Sequence, residues 1–321
     1  MSRGTASSSR RDGRQADDAG LYVEHCGPDT SLSIVLVHGA PDRSAAFRNT
    51  ITHLGDWHVI VYDRRGYGRS RGAPPARAMI DHARDLVEIV LSCPTPPVVV
   101  AHSFGSNPTM LAATLHPGAF AALGLWEPPL PWVEWWPERT KAYNAEIASS
   151  DAPADEIEVM YRRLLGDEAW DRLRPEVRAR RRAEGPAFQV DMASELDAPF
   201  AFEDVTVPAL VGYGTDTSVE HAYGARWLAE RLPYASSQST TGTGHFAPRT
   251  HPEEYAAFVR SVAAPSHLQP TTSPEAGGPP APSPTTAGTS PARSRSDHGG
   301  SRPRCSPAPP PPAPARRGRH R

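Results

Sequence analysis

The segment Ala101-His102-Ser103-Phe104-Gly105 follows a run of three valines and precedes a stretch of helical character. A serine hydroxyl is a weak nucleophile unless a neighbouring base takes its proton, and the base in turn needs an acid to orient it. The candidate base is His245, flanked by glycines in "TGTGHFAP", between a short extended run and an amphipathic last helix. Among 13 histidines a single one is usually a packing or surface residue, but His245 follows the serine in chain order and sits in a loop that can bend back over a sheet edge. Two carboxylates compete to complete the set. Glu127 ends the apolar run "AALGLWE", and Asp216 lies just beyond "PALVGYG". Such a set of groups would transfer an acyl group to serine and then to water.

These groups need a scaffold that brings distant segments to one edge. Between Leu21 and Ala263, short apolar runs alternate with helical periodicity. The runs at 21–26, 32–39, 58–63, 97–102, 121–127, 208–214 and, more weakly, 235–241 read as strands. Several are continuous Val/Ile/Leu runs, as expected for strands covered on both faces. Helices are expected over 78–91, where Met79, Ala83, Leu86, Val87 and Val90 share a face, over 217–232 and over 250–263, where Thr250 is a candidate cap. This alternation predicts a mainly parallel sheet in an α/β fold. Residues 128–204 contain no convincing strand and several charged helical stretches, which predicts an all-helical cap over the carboxyl edge of the sheet. The run "RARRR" (178–182) reads as a solvated helix face without function.

The pentapeptide around Ser103 resembles the G-x-S-x-G nucleophile elbow of the α/β-hydrolase superfamily, with Ala101 replacing the first glycine. "VLVHGAPDRS" (35–44) is similar to the loop that supplies an oxyanion-hole amide in that fold, and the resemblance covers about residues 21–263. It implies a nucleophile at Ser103, a base at His245 and oxyanion donors at the amides of Ala40 and Phe104, with His38 structural. In most of the superfamily the acid follows the strand read as "PALVGYG", three residues beyond a glycine. That place holds Thr217, with Asp216 one residue short. "LGLWEPPLPWVEWWPE" (123–138) is similar to the haloalkane dehalogenase segment whose glutamate is the catalytic acid, which maps to Glu127. Glu127 is therefore preferred and Asp216 kept as the alternative, whose other role would be a helix N-cap. Dehalogenation itself is not expected, because those enzymes use an aspartate where this chain has Ser103 and a tryptophan where it has Phe104.

Composition narrows the rest. Residues 264–321 are rich in Pro, Ser, Thr, Gly and Arg without apolar periodicity, and both this tail and residues 1–20 read as disordered. The expected body is 21–127 with 205–263. The tail carries eight arginines against Glu275 and Asp297, so the formal charge of −2 leaves about −8 on residues 1–263. An acidic body argues against nucleic acid as a specific partner. "YDRRGYGRS" (62–70) lacks a phosphate-loop pattern, and Cys26, Cys93 and Cys305 are too scattered for a zinc site, so no cofactor and no metal are expected. The three cysteines are also too few for a disulfide framework, which suggests a reducing, cytoplasmic setting, and without a signal segment or a long apolar run no membrane span is expected. Trp126, Trp132, Trp135 and Trp136 read mainly as packing, although a site roofed by them would favour an apolar or aromatic small molecule. The leading expectation is a cofactor-independent serine hydrolase of an ester, lactone or related carbonyl compound. Its rivals are a C–C bond hydrolase or perhydrolase on the same triad, and a non-catalytic ligand sensor that kept the pocket.

Overall fold

Valine and isoleucine runs build the centre of this molecule because a strand buried on both faces can use β-branched side chains at every position. The computed structural model describes residues 14–15 and 20–264. The strands are β1 (Arg14–Gln15), β2 (Tyr22–Cys26), β3 (Ser33–Val37), β4 (His58–Tyr62), β5 (Val98–His102), β6 (Ala122–Trp126), β7 (Ala209–Gly214) and β8 (Ala235–Thr240). They form one sheet in the order β1-β2-β4-β3-β5-β6-β7-β8. β2 runs antiparallel to β1 and β4, and all other neighbours are parallel.

The chain's helices are α1 (Arg48–Thr52), α2 (Met79–Leu91), α3 (Ser106–Leu115), α4 (Glu138–Ser149), α5 (Pro153–Leu165), α6 (Asp167–Asp171), α7 (Pro175–Arg182), α8 (Gly185–Ala193), α9 (Val219–Ala229), α10 (Ala247–Thr250) and α11 (Pro252–Val262). Alternate residues of the strands feed two cores. Val35, Val37, Val99, Ala101, Leu123, Leu125 and Val211 face one side with Ala83, Leu86 and Val90 of α2. Ile34, Leu36, Val98, Val100, Ala122 and Leu210 face the other, against Phe258, Val259 and Val262 of α11.

The seven expected strands are all present, and β1 adds a short edge strand inside a segment read as disordered. The rest of 1–19 and the tail from 265 lie outside the described residues. Thr250 does not cap the last helix. It ends α10, its hydroxyl donates to Phe246 O at 3.1 Å, and His251 precedes α11 without a side-chain cap. Among the described residues no helix is long and apolar enough to cross a membrane.

Five helices, α4 to α8, fill the interval between β6 and β7. Buried polar bonds join this insertion to the sheet. Arg43 donates to Glu184 at 2.7 Å, Arg64 to Asp191 at 2.8 Å, and Asn107 of α3 to Glu195 at 3.1 Å, with Asn144 of α4 donating to the other Glu195 oxygen at 2.9 Å. Burial dominates at Glu195 and lifts its carboxyl from 4.5 to about 8, against the opposing pull of the two asparagines. The fold therefore favours the neutral acid. Its stabilisation is complete below pH 4.5 and is lost as pH rises to about 8. Glu195→Gln, which cannot ionise, is expected to gain on the wild type by several degrees in Tm between pH 5 and pH 8. A Tm difference that stays constant across that range would refute this.

Candidate active site

Parallel register sets the first two groups side by side. His102 of β5 pairs with Trp126 of β6, so Ser103 and Glu127 are the next residues beyond neighbouring strand ends. Both adopt left-handed backbone, with φ of 53° at Ser103 and 47° at Glu127, a conformation that costs non-glycine residues roughly 1–2 kcal/mol. Strain of this kind collects where side chains must be aimed. At Ser103 the chain passes from β5 through a single tight turn (Ser103–Gly105) into α3. A Cβ on Gly105 would stand 2.5 Å from His38 O, so only glycine lets the turn pack against the β3 loop.

His245 arrives from the loop after β8. Its Nδ1 lies 2.9 Å from Glu127 Oε2 and its Nε2 lies 3.0 Å from Ser103 Oγ. With Nδ1–H donating to the carboxylate, Nε2 presents its lone pair to the serine hydroxyl. Glu127 is fully buried, and Gly214 N and Thr217 Oγ1 donate to its two oxygens at 2.8 Å each. Burial lowers His245 from 6.5 to about 4, so the imidazole is neutral at ordinary pH.

Two further histidines flank this base. His221 stacks on it with ring centroids 4.4 Å apart, and its Nδ1 is engaged by Ser218 at 2.9 Å. His102 donates from Nε2 to His245 O at 2.7 Å. Burial, reinforced by His245, lowers His221 to about 3 and His102 to about 4, so neither adds a like charge beside His245.

Asp216 does not join the set. It is exposed, and among the described residues its carboxylate accepts only from Thr215 Oγ1, at 3.1 Å. Nor does it cap α9, whose N-cap is Ser218, accepting from His221 N. Thr217 occupies the place three residues beyond Gly214, and its short side chain serves Glu127 instead. Glu127, His221 and His245 each bring one donor atom within 4.8 Å of the others, so these three could hold a metal ion. A metal there would compete for the lone pairs and the carboxylate that already bond within the triad.

The loop after β3 is fixed from below. His38 is buried and neutral, lowered to about 3 by burial and by Arg64; Arg64 N donates to its Nε2 at 2.9 Å while its own Nδ1 donates to Gly39 O at 2.8 Å. The fully buried Arg64 also donates to His38 O at 3.2 Å and Gly39 O at 3.0 Å. A trans peptide points its N–H opposite to its C=O. Arg64 therefore turns the Ala40 amide away from itself. Phe104 lies with its ring 4.7 Å from the Arg64 guanidinium, leaving only its backbone at the turn.

Ser103, His245, Gly39, Ala40 and Pro41 line a cavity of about 120 Å³, completed by Tyr161, Leu164, Leu165 and Arg181 from the helical insertion and by Phe246, Arg249 and Asp42. None of the four tryptophans lines it. Trp126 packs on Tyr255 and Phe258 beneath the sheet, while Trp135 packs on Trp136, Tyr223 and Trp227. A larger groove of about 1510 Å³, between the β2 edge and α7, reaches neither Ser103 nor His245. The sequence carries no sign of His221, Arg64 or Arg181 as site residues, and it marks Thr217 only as the residue standing where an acid is expected. Only contacts across long separations reveal them.

Residues 34–258 match the family model described as "Alpha/beta hydrolase family". RutD of Caulobacter vibrioides, provisionally named a carbamate hydrolase, is 28% identical over 256 residues, covering 74% of this chain and 92% of that protein. A thermophilic esterase from Thermogutta terrifontis superposes with a TM-score of 0.62 at 21% identity, covering 81% of this chain and 100% of that one. The haloalkane dehalogenase DbeA from Bradyrhizobium elkani has a TM-score of 0.60 at 16% identity, covering 78% and 98%.

Proposed function

The chain belongs to the alpha/beta hydrolase family, and from that premise we propose that it is a cofactor-independent serine hydrolase acting on an ester, lactone or related carbonyl compound. One observation carries this reading: the continuous line from Ser103 Oγ through His245 to Glu127, at 3.0 and 2.9 Å. Ser103 Oγ attacks the carbonyl carbon while His245 Nε2 takes its proton. The charge that develops on the carbonyl oxygen is met by the amides of Ala40 and Phe104. Glu127 holds Nδ1 protonated, so that the imidazolium forms with its partner already in place. The proton then passes to the leaving group as the carbonyl re-forms, giving an acyl-serine. Water repeats the sequence and releases the acid.

The helical segment 128–204 serves as a cap, a role supported by the four cavity-lining residues it contributes. Leu164, Leu165 and Phe246 give the cavity an apolar wall for the hydrocarbon part of a small substrate. Intact-mass analysis after exposure to a fluorophosphonate tests the proposal, with one adduct on Ser103 expected. A chain that stays unlabelled is better read as a ligand sensor.

The acid limb of the rate profile follows from His245. A base held at about 4 by burial must lose its lone pair as pH falls through that value. kcat/KM is expected to stay level from pH 7 down to about pH 5 and to drop tenfold per unit below about 4. An inflection at 6.5, the value of a solvated imidazole, would show that burial does not govern this base.

A further inference from the structure

Most of the arginines around the insertion have found a carboxylate. Arg182 bonds to Glu158 and Asp155, Arg178 lies 3.7 Å from Asp171, Arg43 is held by Glu184, and Arg249 is held by Asp42. Arg181 of α7 has none among the described residues. It lines the cavity that holds Ser103 and lies over the Tyr161 ring at 4.7 Å. Its Nε is buried without a hydrogen-bond partner.

Among the described residues Asp42 is the only carboxylate lining the cavity, and it is already committed. Burial raises its pKa, but Arg249 outweighs burial and holds it below the usual range. The cavity is thus left with one guanidinium that no carboxylate among the described residues pairs directly, felt only at longer range by Glu184, which Arg43 already holds. Beyond the Tyr161 ring, the Arg181 guanidinium has no hydrogen-bond or ion-pair partner among the described residues, so the part of it that lines the cavity can bind a ligand that brings an acceptor, whereas the enclosed Nε is not reached from there. Guanidinium matches a carboxylate in shape as well as in charge, with two parallel donors for two oxygens.

Resting on the serine hydrolase reading, we infer that the substrate is a small carbonyl compound bearing a carboxylate, which Arg181 binds while Ser103 attacks the neutral carbonyl. The volume sets the scale. A cavity of roughly 150 Å³ takes a benzene ring, so about 120 Å³ accommodates a short acyl chain ending in a carboxylate. The arginine run that reads as a plain solvated face in the sequence therefore contains one member aimed into the site.

The test compares two esters of similar shape, 4-nitrophenyl hemisuccinate and the neutral 4-nitrophenyl 4-methylpentanoate, after subtraction of spontaneous hydrolysis. The wild type is expected to favour the anionic ester in kcat/KM, with a preference that shrinks as salt is raised. In Arg181→Gln the ratio of anionic to neutral ester should fall at least tenfold, and Arg181→Lys should retain part of it. Melting curves of both variants separate this effect from loss of fold. An equal ratio in wild type and Arg181→Gln overturns the inference. So does a wild type that takes a fluorophosphonate on Ser103 but does not prefer the anionic ester. A wild type that neither labels nor hydrolyses either ester rejects the serine hydrolase reading itself.

Discussion

Ser103→Ala is expected to lower kcat by roughly four to six decades and to abolish the fluorophosphonate adduct, while the protein stays folded. The size follows from geometry. The hydroxyl is the only nucleophile that His245 Nε2 reaches at 3.0 Å, and without it no acyl-enzyme can form. Stability responds to a different substitution. Ser103 holds a left-handed φ of 53° for the sake of aim, so Ser103→Gly removes a penalty of roughly 1–2 kcal/mol and should melt no lower than the alanine variant. An alanine variant that still labels and turns over esters would end the proposal.

The second large effect concerns the acid. Glu127→Gln is expected to cost on the order of 10⁴ in kcat, because an amide at that place no longer enforces Nδ1–H on His245 and no longer neutralises its cation. Asp216→Asn should leave kcat within about twofold and stability within about 0.5 kcal/mol, since the side chain is exposed and bonded only to Thr215. Steady-state kinetics and melting curves on the two variants decide between them. A collapse confined to the asparagine variant would show that the loop rearranges to bring Asp216 to His245.

What could be read beforehand follows from how local each signal is. Continuous valine and leucine runs such as those at 32–37 and 98–102 mark buried parallel strands within a few residues. A serine between such a run and a helix marks a turn that must be tight. The choice between Glu127 and Asp216 was harder, because both lie at strand ends and only the register of β5 on β6 shows which one adjoins Ser103. Thr250 resembles a cap, yet α10 takes it into its last turn. Arg64 with Asp191, and Arg181 with Tyr161, are beyond local reading altogether. Their partners lie far along the chain, and nothing near an arginine tells whether it will find a carboxylate or keep its charge for a ligand.

Arg64 also bears on how a protein of this design can change over generations. Its guanidinium holds two carbonyls of the loop after β3 and is itself balanced by Asp191 of α8, with no access to water. Exchanging the insertion for a foreign helical module without an acid at that place strands a buried cation, a loss of about 3–5 kcal/mol. The damage falls on the very loop that supplies the Ala40 amide. Recombination at residues 128 and 205 therefore divides a unit that has to be inherited whole. New specificities in this lineage are more readily reached by point changes in α5 and α7, along the cavity wall, than by swapping roofs.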